Sequence, residues 1–164
     1  MTKSEKNLAE AFAGESQANR KYLAFAKKAD EEGLVQVAKL FRAAAAAETV
    51  HAHAHLRVLG GIGDTVENLK EAISGETHEF MEMYPRMINE AVEEENKGAQ
   101  MSFMYANAVE KIHAELYQAA LDAMAGLDET AYFVCDVCGN TVEGEAPDRC
   151  SICAVSKDHF MKID

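Results

Sequence analysis

Apolar positions recur every three or four residues over most of the chain. In a first stretch they are Leu8, Phe12, Ala18, Tyr22, Phe25 and Ala29, and in a second Val37, Phe41, Ala44 and Val58. A third carries Leu69, Ile73, Phe80 and Met83, and a fourth Phe103, Ala106, Tyr117 and Leu121. This period predicts four amphipathic helices. Thr2-x-x-Glu5 is a capping box for a first helix ending near Glu32, and Gly33 stops it. The second spans about 34–59 and ends at Gly60-Gly61-Ile62-Gly63. Asp64-x-x-Glu67 opens the third, which runs to about Lys97 with Pro85 as a kink or break. Gly98 precedes the fourth, about 99–125, which ends at Gly126. From Thr130 the helical stripe disappears. Tyr132, Phe133, Val134, the cysteines, Pro147 and several Gly predict a small β-rich module. The expected division is a helical domain 1–126, a linker 127–131 and a module 132–164.

The stripes are interrupted by acids at mid-helix. Glu15, Glu48, Glu76, Glu79 and Glu110 lie on them, with His51 and His113 beside them. A buried unpaired carboxylate is costly and tends to protonate, so four helices sharing this feature point to divalent cations. The arrangement is written twice, about 60 residues apart. Ala11-Phe-Ala-Gly-Glu15-Ser is answered by Ala72-Ile-Ser-Gly-Glu76-Thr, and Glu48-Thr-Val-His51 by Glu110-Lys-Ile-His113. Glu and His three apart share a helix face and can reach one ion. Two such halves make a two-metal site in a helical bundle. Carboxylate-rich ligation with imidazole suits iron or manganese better than copper. Glu79 breaks the symmetry, because the first half has Ala18 at the matching place. It is either a solvated acid beside the site or a spare ligand. Tyr22 and Tyr84 follow Glu15 and Glu76 by about two turns. They are either hydrogen-bond donors to a ligand or ordinary core tyrosines.

The four cysteines form two pairs, Cys135-x-x-Cys138 and Cys150-x-x-Cys153. Two such knuckles hold one tetrahedral ion, zinc or a single iron. A module of this size is too small for an apolar core alone, and a metal supplies the missing stability. Next to a redox-active two-metal site, iron is the expected occupant, with zinc as a substitute. The net charge of −12 argues against nucleic acid and anionic membranes as partners. The lack of a long apolar run or a signal-like N-terminus makes the cytoplasm the expected compartment.

Taken together, these motifs resemble rubrerythrin. The resemblance is carried by Gly14-Glu15, Glu48-x-x-His51, Gly75-Glu76-x-x-Glu79 with Met83-Tyr84-Pro85, Glu110-x-x-His113, and the cysteine pairs with Glu143-Gly-Glu-Ala-Pro147 between them. It implies a ferritin-like four-helix bundle with a di-iron site, followed by a rubredoxin-like domain with one iron. Its ligands would be Glu15, Glu48, His51, Glu76, Glu79, Glu110 and His113, with Glu48 and Glu110 bridging. His51 and Glu79 would alternate on one iron as the redox state changes. Cys135, Cys138, Cys150 and Cys153 would hold the third iron. The implied activity is reduction of hydrogen peroxide to water in oxidative-stress defence, with Tyr22 and Tyr84 ordering the pocket. Electrons would come from rubredoxin or an NAD(P)H-dependent reductase, passing through the cysteine-bound iron of a neighbouring subunit in a homodimer or larger homo-oligomer. Ferroxidase or iron-handling activity and oxygen reduction are the alternatives. The chain departs from the family at Ser151, where Pro is frequent, and at Ala154, where Gly is usual.

Overall fold

The structure, a computed structural model, describes residues 1–163. The chain separates into two compact units, Met1–Gly63 and the remainder from Asp64 onward.

The first unit is a hairpin of α1 (Lys3–Glu31) and α2 (Val35–Val58). The Thr2–Glu5 capping box is formed in both directions, satisfying backbone donors that would otherwise be orphaned. At the other end Gly33, at φ +75°, sits where a side chain would strain the backbone. The N–H of Leu34 reaches back to Ala29 and that of Gly33 to Asp30, which closes the helix in a Schellman turn. The buried seam is made of small residues: Ala26, Ala29, Ala38, Ala45 and Ala52. Larger apolar side chains of the expected stripes, among them Phe25, Val37 and Val58, stay substantially exposed in this unit. Asn19 of α1 ties the pair together by donating to the Ala45 carbonyl at 2.7 Å and to Thr49 at 2.9 Å.

The second unit opens with α3 (Thr65–His78), capped by Asp64 and Glu67 as the sequence predicts. The third predicted helix then departs from expectation. Instead of a kink at Pro85, residues Glu79–Met83 form a five-residue π-helix, and α4 (Tyr84–Glu93) follows. The N–H of Tyr84 bonds the Glu79 carbonyl five residues back. Proline has no N–H to give the preceding turn, and widening that turn absorbs the loss without breaking the rod. The antiparallel return helix α5 (Lys97–Ala123) is capped by Asn96, whose side chain accepts from Ala99.

The cysteine module belongs to this second unit. Its sheet has the order β2-β1-β3, all antiparallel, from β1 (Tyr132–Cys135), β2 (Thr141–Glu143) and β3 (Phe160–Ile163). Val134 pairs with Thr141 and Tyr132 with Glu143. Period-two alternation therefore puts Tyr132, Val134 and Thr141 on one sheet face.

Candidate metal centres

In each unit the Glu-x-x-His helix meets the single-Glu helix. Glu15 of α1 gathers with Glu48 and His51 of α2, and Glu76 of α3 with Glu110 and His113 of α5. Within each triad the ligand atoms all lie within 4.8 Å of one another. The i,i+3 spacing is directly visible: His51 Nδ1 is 2.9 Å from Glu48 Oε2, and His113 Nδ1 is 2.8 Å from Glu110 Oε2. Glu76 approaches His113 Nδ1 from the neighbouring helix at 3.7 Å.

The two triads are not equivalent. His113 is 27% exposed and His51 56%. Burial, reinforced by the charges of Glu110 and Glu79, raises the Glu76 carboxyl from 4.5 to about 7. Glu110 is also raised, by burial and then by Glu79. Acids pushed upward by burial and by one another are a site short of positive charge. Glu79, on the π-helix, lies outside the tight triad, yet its charge is felt at Glu76, Glu110 and Tyr84. Tyr84 is held protonated well above the usual phenol range by burial and then by Glu110, Glu79 and Glu76, and its ring lies 6.3 Å from Phe103. Tyr22 packs in an aromatic cluster with Phe25 and Phe41.

The four cysteines converge as free thiols. The sulfurs of Cys135 and Cys153 are 3.7 Å apart, and those of Cys138 and Cys150 3.6 Å. A tetrahedron with metal–sulfur bonds of about 2.3 Å has edges of about 3.8 Å. The sulfur cage therefore already has the dimensions of a four-thiolate metal site. Burial raises Cys138 and Cys153. Burial acts the same way on Cys150, but the backbone N–H groups of Cys153 and Ile152, together with the neighbouring thiols, outweigh it and bring Cys150 down to about 6. Each knuckle repeats one backbone pattern, with Gly139 N–H bonding Cys135 and Ala154 N–H bonding Cys150. The residue after each second cysteine is left-handed, Gly139 at φ +82° and Ala154 at φ +63°.

The two kinds of centre touch. His113 Nε2 lies 2.9 Å from Thr141 Oγ1 of β2, and Thr141 donates to the Gly139 carbonyl at 3.1 Å. The sequence suggests a neighbouring subunit's module as the electron relay, whereas here the chain's own module contacts its own triad. Thr141 was not among the sequence candidates, because strand alternation alone does not tell which face meets a helix.

A family model described as rubrerythrin matches residues 6–121, and one described as the rubrerythrin rubredoxin-like domain matches residues 133–161. The chain belongs to the rubrerythrin family. Rubrerythrin-2 of Clostridium acetobutylicum is 35% identical, over 94% of this chain and 93% of that protein. Nigerythrin of Nitratidesulfovibrio vulgaris is 37% identical, over 94% of this chain and 83% of its own length. A solved structure of fully reduced, all-ferrous nigerythrin matches with a TM-score of 0.61 at 34% identity, covering 99% of this chain and 88% of that one. Rubrerythrins are oxidoreductases with a di-iron site and a rubredoxin-like four-cysteine iron, and the donor sets here fit both. The triads offer hard oxygen and imidazole ligands for iron, and the thiolate cage is the soft site. Among the described residues no helix is long and apolar enough to cross a membrane.

Proposed function

We propose that this protein is a non-haem di-iron peroxidase that reduces hydrogen peroxide to water, with electrons entering through its four-cysteine iron. The observation that carries the reading is the hydrogen-bonded link from His113 through Thr141 to Gly139 beside Cys138. An iron-storage protein has no use for a one-electron site wired to its carboxylates.

In this reading Glu15, Glu48 and His51 hold one part of the di-iron site and Glu76, Glu110 and His113 the other, with Glu48 and Glu110 bridging. When bound, the iron pair supplies two electrons and the four-thiolate iron replaces them one at a time. The overall balance is peroxide plus two protons and two electrons to two waters. Tyr84, kept protonated by its surroundings, presents an O–H donor toward the oxygen atoms of the substrate. Tyr22, in its aromatic cluster, walls the first-unit side. Glu79 is the extra carboxylate, and the π-turn sets it apart from Glu76 while keeping it within electrostatic reach. Exposed His51 has no second partner for its Nε2 among the described residues, so it turns without breaking another contact. These properties support His51 and Glu79 as the pair that alternates with redox state.

Exposed Leu23, Phe25, Leu40, Val50 and Val58 support association into a homodimer or larger assembly. The fold-level boundaries read from sequence, 1–126 and 132–164 with a linker between, are kept as part of this proposal. So are a rubredoxin or NAD(P)H-dependent reductase as donor and the cytoplasm as compartment. The test is single-turnover oxidation of the reduced, iron-loaded chain by stoichiometric peroxide. Oxidation no faster than with dissolved oxygen argues for the oxygen-reducing alternative.

A further inference from the structure

Thr141 is a small polar residue that belongs to the cysteine module yet meets a candidate ligand of the helical site. Its hydroxyl proton is committed to the Gly139 carbonyl at 3.1 Å. Its oxygen is therefore an acceptor toward His113 Nε2 at 2.9 Å, and Nε2 carries the hydrogen of that bond. His113 Nδ1 is left with a lone pair facing Glu110 Oε2 at 2.8 Å and Glu76 at 3.7 Å. Acceptors converging at such distances ask for a cation among them. Leu116, Val134 and Ile163 line a cavity of about 290 Å³ on the far side of the ring, with Thr141 and His113 at its wall. In that apolar setting Thr141 is the polar anchor the ring finds. His51, by contrast, bonds only Glu48 and stands half-open to solvent.

We propose that Thr141 is the positioning residue of His113: the cysteine module fixes the tautomer and orientation of one imidazole ligand and leaves the other free. The module is thus part of the helical metal site's outer shell as well as an electron carrier. A ligating His whose second nitrogen is held in this way is pre-oriented for its metal, and loss of such a partner typically weakens affinity about 10–100-fold. The inference rests on Glu76, Glu110 and His113 being metal ligands, and it is independent of which oxidant the protein reduces.

The test uses the full-length chain loaded with zinc, which is diamagnetic, and long-range proton–nitrogen spectra of its histidines. The expected result is a protonated, slowly exchanging Nε2 on His113 and a rapidly exchanging one on His51. In parallel, zinc and iron(II) affinities of the helical site are measured by chelator competition for the parent, Thr141→Val and Thr141→Ser. Val is expected to weaken binding about 10–100-fold and Ser to restore most of it, while the red colour of the iron-loaded cysteine module reports that the module is intact. Val binding as tightly as the parent, or His113 protonated on Nδ1, overturns the inference. Should Val unfold the module, the parent spectrum and the Ser variant still decide. Failure of the parent itself to bind metal through the helices overturns the ligand reading beneath it, and inertness toward peroxide alone touches neither.

Discussion

The backbone N–H of Tyr84 bonds the carbonyl of Glu79, five residues earlier, and this one wide turn separates Glu79 from Glu76. A regular α-helix would place the two acids, three apart, side by side on one face. The π-turn shifts everything that follows it, so Glu79 stands near Glu76 and Glu110 without joining their cluster. Glu79→Ala, which copies the Ala18 of the other half, is expected to leave two irons bound and to slow peroxide oxidation at least tenfold. Metal analysis and stopped-flow absorbance read the two effects separately. Loss of iron with an unchanged rate per bound pair would make Glu79 a structural ligand only.

The acid triad dictates how the metal-free chain responds to pH. Glu76 is raised from 4.5 to about 7 by burial and by its acidic neighbours. As pH rises through 4.5 the unfolded chain loses this proton while the folded chain keeps it until about 7. The folded state then binds more protons, so its stability falls across that window and levels off above it. Melting temperatures of the metal-free chain should drop between pH 5 and 7, with a weaker drop in Glu76→Gln. Metal binding has to displace the same proton, so affinity should weaken as pH falls below 7.

Ala154 holds a left-handed conformation, φ +63°, that its counterpart Gly139 adopts without cost. A non-glycine residue there costs about 1 kcal/mol or more. Ala154→Gly is expected to raise the stability of the module by about 1 kcal/mol, read from thermal loss of the four-cysteine iron colour. No gain would mean that neighbouring contacts already compensate Ala154.

Asn140 is 1% exposed, and its amide donates to Cys150 Sγ at 3.6 Å and to Ser151 Oγ at 3.3 Å. The departure from Pro at Ser151 therefore has a structural consequence, because it supplies a second acceptor for this buried amide. Hydrogen bonds to a metal-bound thiolate favour the reduced, more negative site. Asn140→Leu should lower the reduction potential of the four-cysteine iron, and Ser151→Ala should change it less, in spectroelectrochemical titration. An unchanged potential in Asn140→Leu would leave that amide with a packing role alone.

Much of this was legible in the sequence because the chemistry sits on regular periods. The capping boxes at Thr2 and Asp64 fix helix starts by local hydrogen bonding, and Glu-x-x-His and Cys-x-x-Cys fix geometry within a turn. The π-turn was less legible: Pro85 announces an irregularity, but whether a helix kinks or widens depends on the packing of α4 against α5. The broad apolar stripes also misjudge burial within a unit. The hairpin seam is built from Ala26, Ala38 and Ala45, which let the two helices approach closely, and Phe25 and Val58 remain exposed. Thr141 was invisible because its role depends on which sheet face meets α5, a long-range fact carried by no local pattern.

The central claim is that a carboxylate–imidazole metal site and a four-thiolate site in this chain act together on peroxide. Its most direct test is double-detection stopped flow on the fully reduced, iron-loaded protein mixed with one equivalent of hydrogen peroxide. The account predicts fast appearance of the oxidised di-iron absorbance, followed by the red colour of the oxidised cysteine iron as it refills the pair. Both phases should outpace oxidation by air-saturated buffer. Oxidation equally fast in air, or a cysteine iron that stays reduced while the di-iron site turns over, would contradict it.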